Sequence, residues 1–138
     1  MTGTIRLSRE YDAAAEDLWE LVATSEGLAT WLMANDFEPV VGHAFTFRTD
    51  PRPPFFDGVV GCRVLRVEPP RLLQISWAGG PVDTVVTFAL QPLGPGRARL
   101  DLTHTGFSGL RARTVQQVLG LGWRGLMRRE IPRRLVAR

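Results

Sequence analysis

His104 is the residue with the most chemical reach in this chain. It follows Leu100 and Leu102 at a spacing of two, so in a strand all three side chains leave one face. An imidazole among apolar neighbours is penalised when protonated and stays neutral. Such a group can shuttle a proton or hydrogen-bond a ligand, or it can be a core histidine bonded to a neighbour. Asp57 and Asp83, near strand starts, offer carboxylates a cleft could use, although aspartates there commonly serve turns. His43, beside Gly42, reads as a surface turn residue. The sequence holds no Gly-x-Ser-x-Gly elbow, phosphate-cradling glycine loop or metal-binding helix pair. Cys62 with two histidines supplies too few ligands for a structural zinc site. One histidine is not a catalytic constellation, so no catalytic residue, metal or cofactor is expected. The aromatic rings Trp31, Phe45, Phe55, Phe56, Trp77, Phe88, Phe107 and Trp123 could line a cavity and stack on a planar ligand; the alternative is that they fill the core.

The elements that would position these groups follow from periodicity. Ile5, Leu7 and the residues up to Tyr11 alternate as a first strand. From Asp12 the composition turns to helix formers, with Leu18, Leu21 and Val22 on one face and Glu16, Asp17 and Glu20 on the wet side. Ser25 is expected to cap a second short helix that ends at Trp31 and Leu32. From residue 36 the period becomes two. Phe45 and Phe47 alternate with Thr46 and Arg48, and Pro51, Pro53 and Pro54 mark a loop. Strands are expected at 57–68, 72–77, 82–91 and 97–105. Gly79-Gly80 and Gly94-Pro95-Gly96 serve as hairpin turns, so neighbours are antiparallel. From Arg113 the period returns to 3.6, placing Val115, Leu119, Trp123, Leu126, Met127 and Ile131 on one stripe. Gly120, Gly122 and Gly125 weaken this helix and imply close backbone approach to something. Pro132 is expected to kink or end it near Ile131.

Composition sets the outer bounds. The 138 residues fit one domain, 1–138, with 44% hydrophobic and 22% charged residues. No apolar run reaches the roughly 20 residues of a membrane span, and the N-terminus carries no secretory signal. The lone Cys62 fits a reducing cytoplasm. All 17 basic residues are arginine, which reads as a coding bias; nucleic acid is not the expected partner. Charge is unevenly spread. Residues 111–138 hold eight arginines and one acid (+7), and residues 1–110 nine arginines and thirteen acids (−4). Such a basic final helix docks favourably on an acidic body. It could also offer Arg124, Arg128, Arg129, Arg133 and Arg134 to an anionic partner.

Several segments, taken in order, carry a family likeness. Ala13-Ala14-Ala15-Glu16-Asp17-Leu18-Trp19 is followed by Leu28-Ala29-Thr30-Trp31-Leu32. A strand led by Gly58 then runs into Pro69-Pro70, and the next ends in Ser76-Trp77. Thr103-His104-Thr105-Gly106-Phe107 and Gly122-Trp123 close the series. Together they resemble the START-like (SRPBCC) superfamily, in the branch named after activators of the heat-shock protein 90 ATPase. The chain departs from that pattern in its alanines ahead of the first Trp, in Pro132 and in its basic ending. The resemblance implies an α+β helix-grip fold of order β-α-α-β(6)-α, with a curved antiparallel sheet around one long C-terminal helix. It also implies a cavity between them, expected to be lined by Trp31, Phe45, Phe56, Trp77, Phe88, His104, Phe107, Leu119, Trp123 and Met127. A non-catalytic cytoplasmic binder of an apolar or amphipathic small molecule is the leading expectation. A polyketide cyclase or aromatase moving protons through His104 with Asp57 or Asp83, and a co-chaperone, are the alternatives. Activators of that kind carry a further domain for which 138 residues are expected to leave no room. A homodimer could form through a sheet edge or the basic helix.

Overall fold

The computed structural model describes residues 3–51, 57–79, 82–109 and 111–136. Phe55 and Phe56 of the proline-rich loop, and Gly80 of the expected hairpin, lie outside them. Seven strands form one antiparallel sheet in the order β1-β7-β6-β5-β4-β3-β2. The strands are β1 (Gly3–Tyr11), β2 (Ala34–Asn35), β3 (Ala44–Arg48), β4 (Val59–Glu68), β5 (Leu72–Gly79), β6 (Val82–Gly94) and β7 (Arg97–Phe107). Two short helices, α1 (Ala15–Val22) and α2 (Ser25–Trp31), follow β1. The chain then meanders from β2 to β7 and ends in a long helical segment. That segment comprises α3 (Ala112–Gly125), a π turn (Leu126–Glu130) and α4 (Ile131–Val136). This is the expected β-α-α-β(6)-α order.

Strand alternation decides which side chains face inward. Thr84, Val86, Phe88 and Leu90 of β6 and Ala98, Leu100, Leu102 and His104 of β7 are buried, while the residues between them are half-buried. Register then aligns the inner faces. His104 stands beside Val86 on β6 and Ile5 on β1, and Phe88 lies between Leu102 and Leu73. The helical segment covers this face by burying Trp123, Met127 and Ile131, with Val115, Leu119 and Leu126 half-buried. Three fully buried side chains contribute about 1.5–3 kcal/mol gross each, which outweighs the cost of the helix glycines, roughly 1 kcal/mol apiece.

Three local expectations change. The cap of α2 is Thr24, whose Oγ1 accepts from the Gly27 N–H at 2.9 Å, while the Ser25 hydroxyl donates to the Asn35 carbonyl. Thr24 has the extended backbone a cap requires, and Ser25 is already helical. Pro132 does not end the last helix. The turn ahead of it widens into the π turn, a form that accommodates a residue lacking an N–H, and α4 continues beyond. Of the helix glycines, Gly120 lies against Ile5 and Gly125 beneath Arg129, but a side chain at Gly122 would meet nothing within 4 Å.

Candidate functional site

Beneath the long helix, three side chains and one backbone carbonyl form a single chain of hydrogen bonds. The Trp123 indole N–H donates to His104 Nδ1 at 3.0 Å. That bond leaves the imidazole proton on Nε2, which donates to Thr84 Oγ1 at 2.7 Å. The Thr84 hydroxyl in turn donates to the Trp77 carbonyl at 2.9 Å. Each donor thus meets one acceptor. His104 is fully buried, and burial pushes its pKa down to about 4. A second proton would have to enter at Nδ1, which faces the indole N–H, so protonation breaks the bond to the helix. Both ring nitrogens are engaged, the arrangement of a core histidine bonded to its neighbours. His43 is half-buried near the surface, with Nε2 3.0 Å from the Asp36 carbonyl oxygen. Asp57 serves its turn by accepting from the Val59 N–H. Burial pushes the Cys62 thiol up to about 12, so it presents no thiolate at neutral pH.

The aromatic set expected from the sequence is brought together. Trp123 lies with its ring centroid 5.4 Å from Trp77, 6.0 Å from Phe88 and 6.4 Å from Trp31. His104 sits 4.7 Å from Phe107 and 5.6 Å from Trp77. Phe45 joins through Phe47, which packs 5.5 Å from Trp77; neither Phe47 nor Phe37 was among the expected cavity residues. Trp31, Phe45, Trp77, Phe88, His104, Phe107, Trp123 and Met127 are each at most 5% exposed, and Leu119 is half-buried. Phe56 lies outside the described residues. These rings pack against one another in edge-to-face and tilted geometries, as core rings do.

Open space lies beside them. A cleft of about 320 Å³ opens where the start of β6, the end of β7 and the first turn of α3 converge. Its inner wall is Thr84 and Phe107, both in contact with His104. Val82, Ala112 and Val115 give it apolar sides, and Asp83, Ser108 and Arg111 bring polar groups to it. Of the ten cavity residues expected from the sequence, Phe107 alone borders this cleft. Besides Asp83, which the sequence offered as a cleft carboxylate, the glycines around the β7–α3 connection are a signal for it. Gly106 has φ 105° and Gly109 has φ 102°, a backbone that side chains rarely tolerate.

A curved antiparallel sheet closed over a long terminal helix, with two short helices after the first strand, defines the helix-grip class of START-like proteins. The family model of the Activator of Hsp90 ATPase homolog 1-like proteins matches residues 12–131, and the chain belongs to that family. The crystal structure of protein MLL2253 from Mesorhizobium loti is similar at 31% identity and a TM-score of 0.80, over 91% of this chain and 92% of that one. The solution structure of Bacillus halodurans protein BH1534 is similar at 30% identity and 0.73, over 91% of each. The Aha1 dimer from Colwellia psychrerythraea shares the fold at 18% identity and 0.74, over 91% and 90%. No curated protein sequence matches the chain significantly. Among the described residues, no helix is long and apolar enough to cross a membrane, and no three His, Cys, Asp or Glu side chains cluster as metal ligands.

Proposed function

We propose that the chain is a non-catalytic binding domain for an amphipathic small molecule, held in the cleft between α3 and the ends of β6 and β7. The observation that carries this reading is the cleft's composition: an apolar body of Val82, Phe107, Ala112 and Val115, with the polar groups of Asp83, Ser108 and Arg111 beside it. Its volume falls at the lower end of small-molecule sites. Phe107 touches the ligand. The other rings, with His104, form the wall that holds Phe107 and Thr84 in position. Catalysis is no part of the proposal, because the imidazole behind this wall has both nitrogens engaged and a pKa well below neutral. The lone buried Cys62 supports a reducing, cytoplasmic setting.

Melting temperature and amide NMR shifts, measured with sterol-like, fatty and aromatic ligands, test the proposal. A ligand at one hundred times its Kd stabilises the folded state by about 2.7 kcal/mol, a rise of several degrees. At least one class should do this while moving the amides of Val82, Gly106, Ser108 and Val115. Ala112→Trp, which fills the cleft from the helix side, should abolish the shift while the free protein stays folded. Silence from every class, or shifts remote from the cleft, would refute the assignment.

A further inference from the structure

The second half of the long helix carries a feature that the cleft does not use. Four arginines line a groove of about 430 Å³: Arg9 from β1, Arg124 from the end of α3, and Arg128 and Arg129 from the π turn. Leu121 and Gly125 complete its lining, and no carboxylate lines it.

The nearby acids are engaged elsewhere. Glu10 and Asp12, beside Arg9 along the chain, are held by Arg97 at 2.8 and 2.7 Å, and Glu130 pairs with Arg133 at 3.4 Å. Among the described residues, Arg9, Arg124, Arg128 and Arg129 form no ion pair; Arg9 only stands over the Tyr11 ring at 5.9 Å. Like charges four apart on a helix repel, and Arg124 and Arg128 are so placed. Glycine weakens a helix, yet Gly125 stands where a Cβ would approach Arg129 Nη2 to 3.1 Å. The π turn, a device concentrated at functional sites, lengthens the repeat and lets Arg129 join Arg124 on one groove. Local stability is thus given up in like-charge repulsion and at Gly125 beside these four charges, on a turn that also accommodates Pro132. The grouping also differs from the one suggested by the sequence. Arg133 and Arg134 do not line the groove, and Arg9, more than a hundred residues distant, does.

We propose that this groove binds a compact polyanion of diphosphate type. Guanidinium forks match phosphate oxygens two at a time, and four of them exceed what one carboxylate can neutralise. The volume is that of a small-molecule site, and Leu121, 68% exposed, offers apolar cover to whatever the phosphates are attached to. The groove shares no lining residue with the cleft at the start of α3, so the two proposals stand or fall separately.

Calorimetric titration of the full chain with inorganic pyrophosphate at low ionic strength tests it. One saturable site is expected, with inorganic phosphate weaker. Arg9→Gln and Arg129→Gln should each weaken binding by about tenfold, the effect of losing one charged hydrogen-bond partner, while Arg134→Gln leaves it unchanged. Gly125→Ala should raise the melting temperature yet weaken pyrophosphate binding, a split that a purely structural role would not produce. Sedimentation with phosphatidylcholine vesicles containing phosphatidic acid identifies the source of the phosphate. Vesicle binding that is lost in Arg129→Gln and competed by pyrophosphate assigns a lipid headgroup; pyrophosphate binding without it assigns a soluble ligand. No pyrophosphate binding, or equal weakening by Arg134→Gln and Arg129→Gln, overturns the proposal.

Discussion

The two halves of the terminal helix are held to the sheet very differently. Up to Leu121, α3 buries no side chain fully; Val115 and Leu119 are half-buried, and Val118 and Leu121 are 63% and 68% exposed. From Trp123 onward, Trp123, Met127 and Ile131 are buried, the Tyr11 hydroxyl donates to the Met127 carbonyl at 2.7 Å, and α4 touches both α1 and α2. The same backbone element is therefore an anchor at one end and a loosely seated cover at the other. The cleft opens at the loosely seated end, where little burial is sacrificed by leaving space. Local opening is governed by buried apolar contact, so a ligand site is cheapest where that contact is thinnest.

The contrast can be tested in order of effect. Trp123→Ala, at the junction of the two halves, removes a buried indole and strands His104 Nδ1. A loss of about 3–5 kcal/mol is expected in urea denaturation. Acid should act through the same contact. His104 has a folded pKa of about 4 against an ordinary value near 6.5, so the unfolded chain binds protons more readily between those values. Stability should be full above pH 6.5 and fall by about 3 kcal/mol on the way to pH 4. His104→Gln, which cannot titrate, should show a shallower decline. Ile131→Ala in the anchor should cost about 2–5 kcal/mol, and Leu119→Ala in the cover about 1 kcal/mol. Tyr11→Phe, which removes the bond to Met127, should cost about 1 kcal/mol. Leu121→Gln should change stability by less than about 0.5 kcal/mol. Hydrogen exchange would add the local picture, with residues 112–121 exchanging ahead of 127–135. Equal costs at Ile131 and Leu119 would erase the distinction.

The fold was largely legible because its cues are local. Val86, Phe88 and Leu90 reveal β6 by alternation, and Gly94-Pro95-Gly96 turns it back into β7. The pairing of β1 with β7 is a different matter: no periodicity reports it, and it appears only in the register of the folded sheet. Thr24 and Ser25 offer adjacent hydroxyls, and choosing between them needs the backbone angles. A proline within a helical pattern signals trouble but does not say whether the helix stops or widens. The candidate site was less legible still. The expected rings do gather, because large apolar side chains at inward positions must meet in the core. Of the cleft, Asp83 and Phe107 were among the residues the sequence singled out, while Ser108 and Arg111 are of ordinary type and carry no local signal. The basic groove likewise needs Arg9, which nothing in the local pattern ties to the final helix.

The partnership of Ile5 with His104 also has a consequence for how the molecule comes into being. On the ribosome the opening strand emerges long before its only neighbour in the sheet, and it waits unpaired through the whole meander. Closure of so long a loop is entropically slow, so this step is expected to set the pace of folding. Until then an unsatisfied strand edge is on offer to other nascent chains, and pairing with β7 is what brings that exposure to an end.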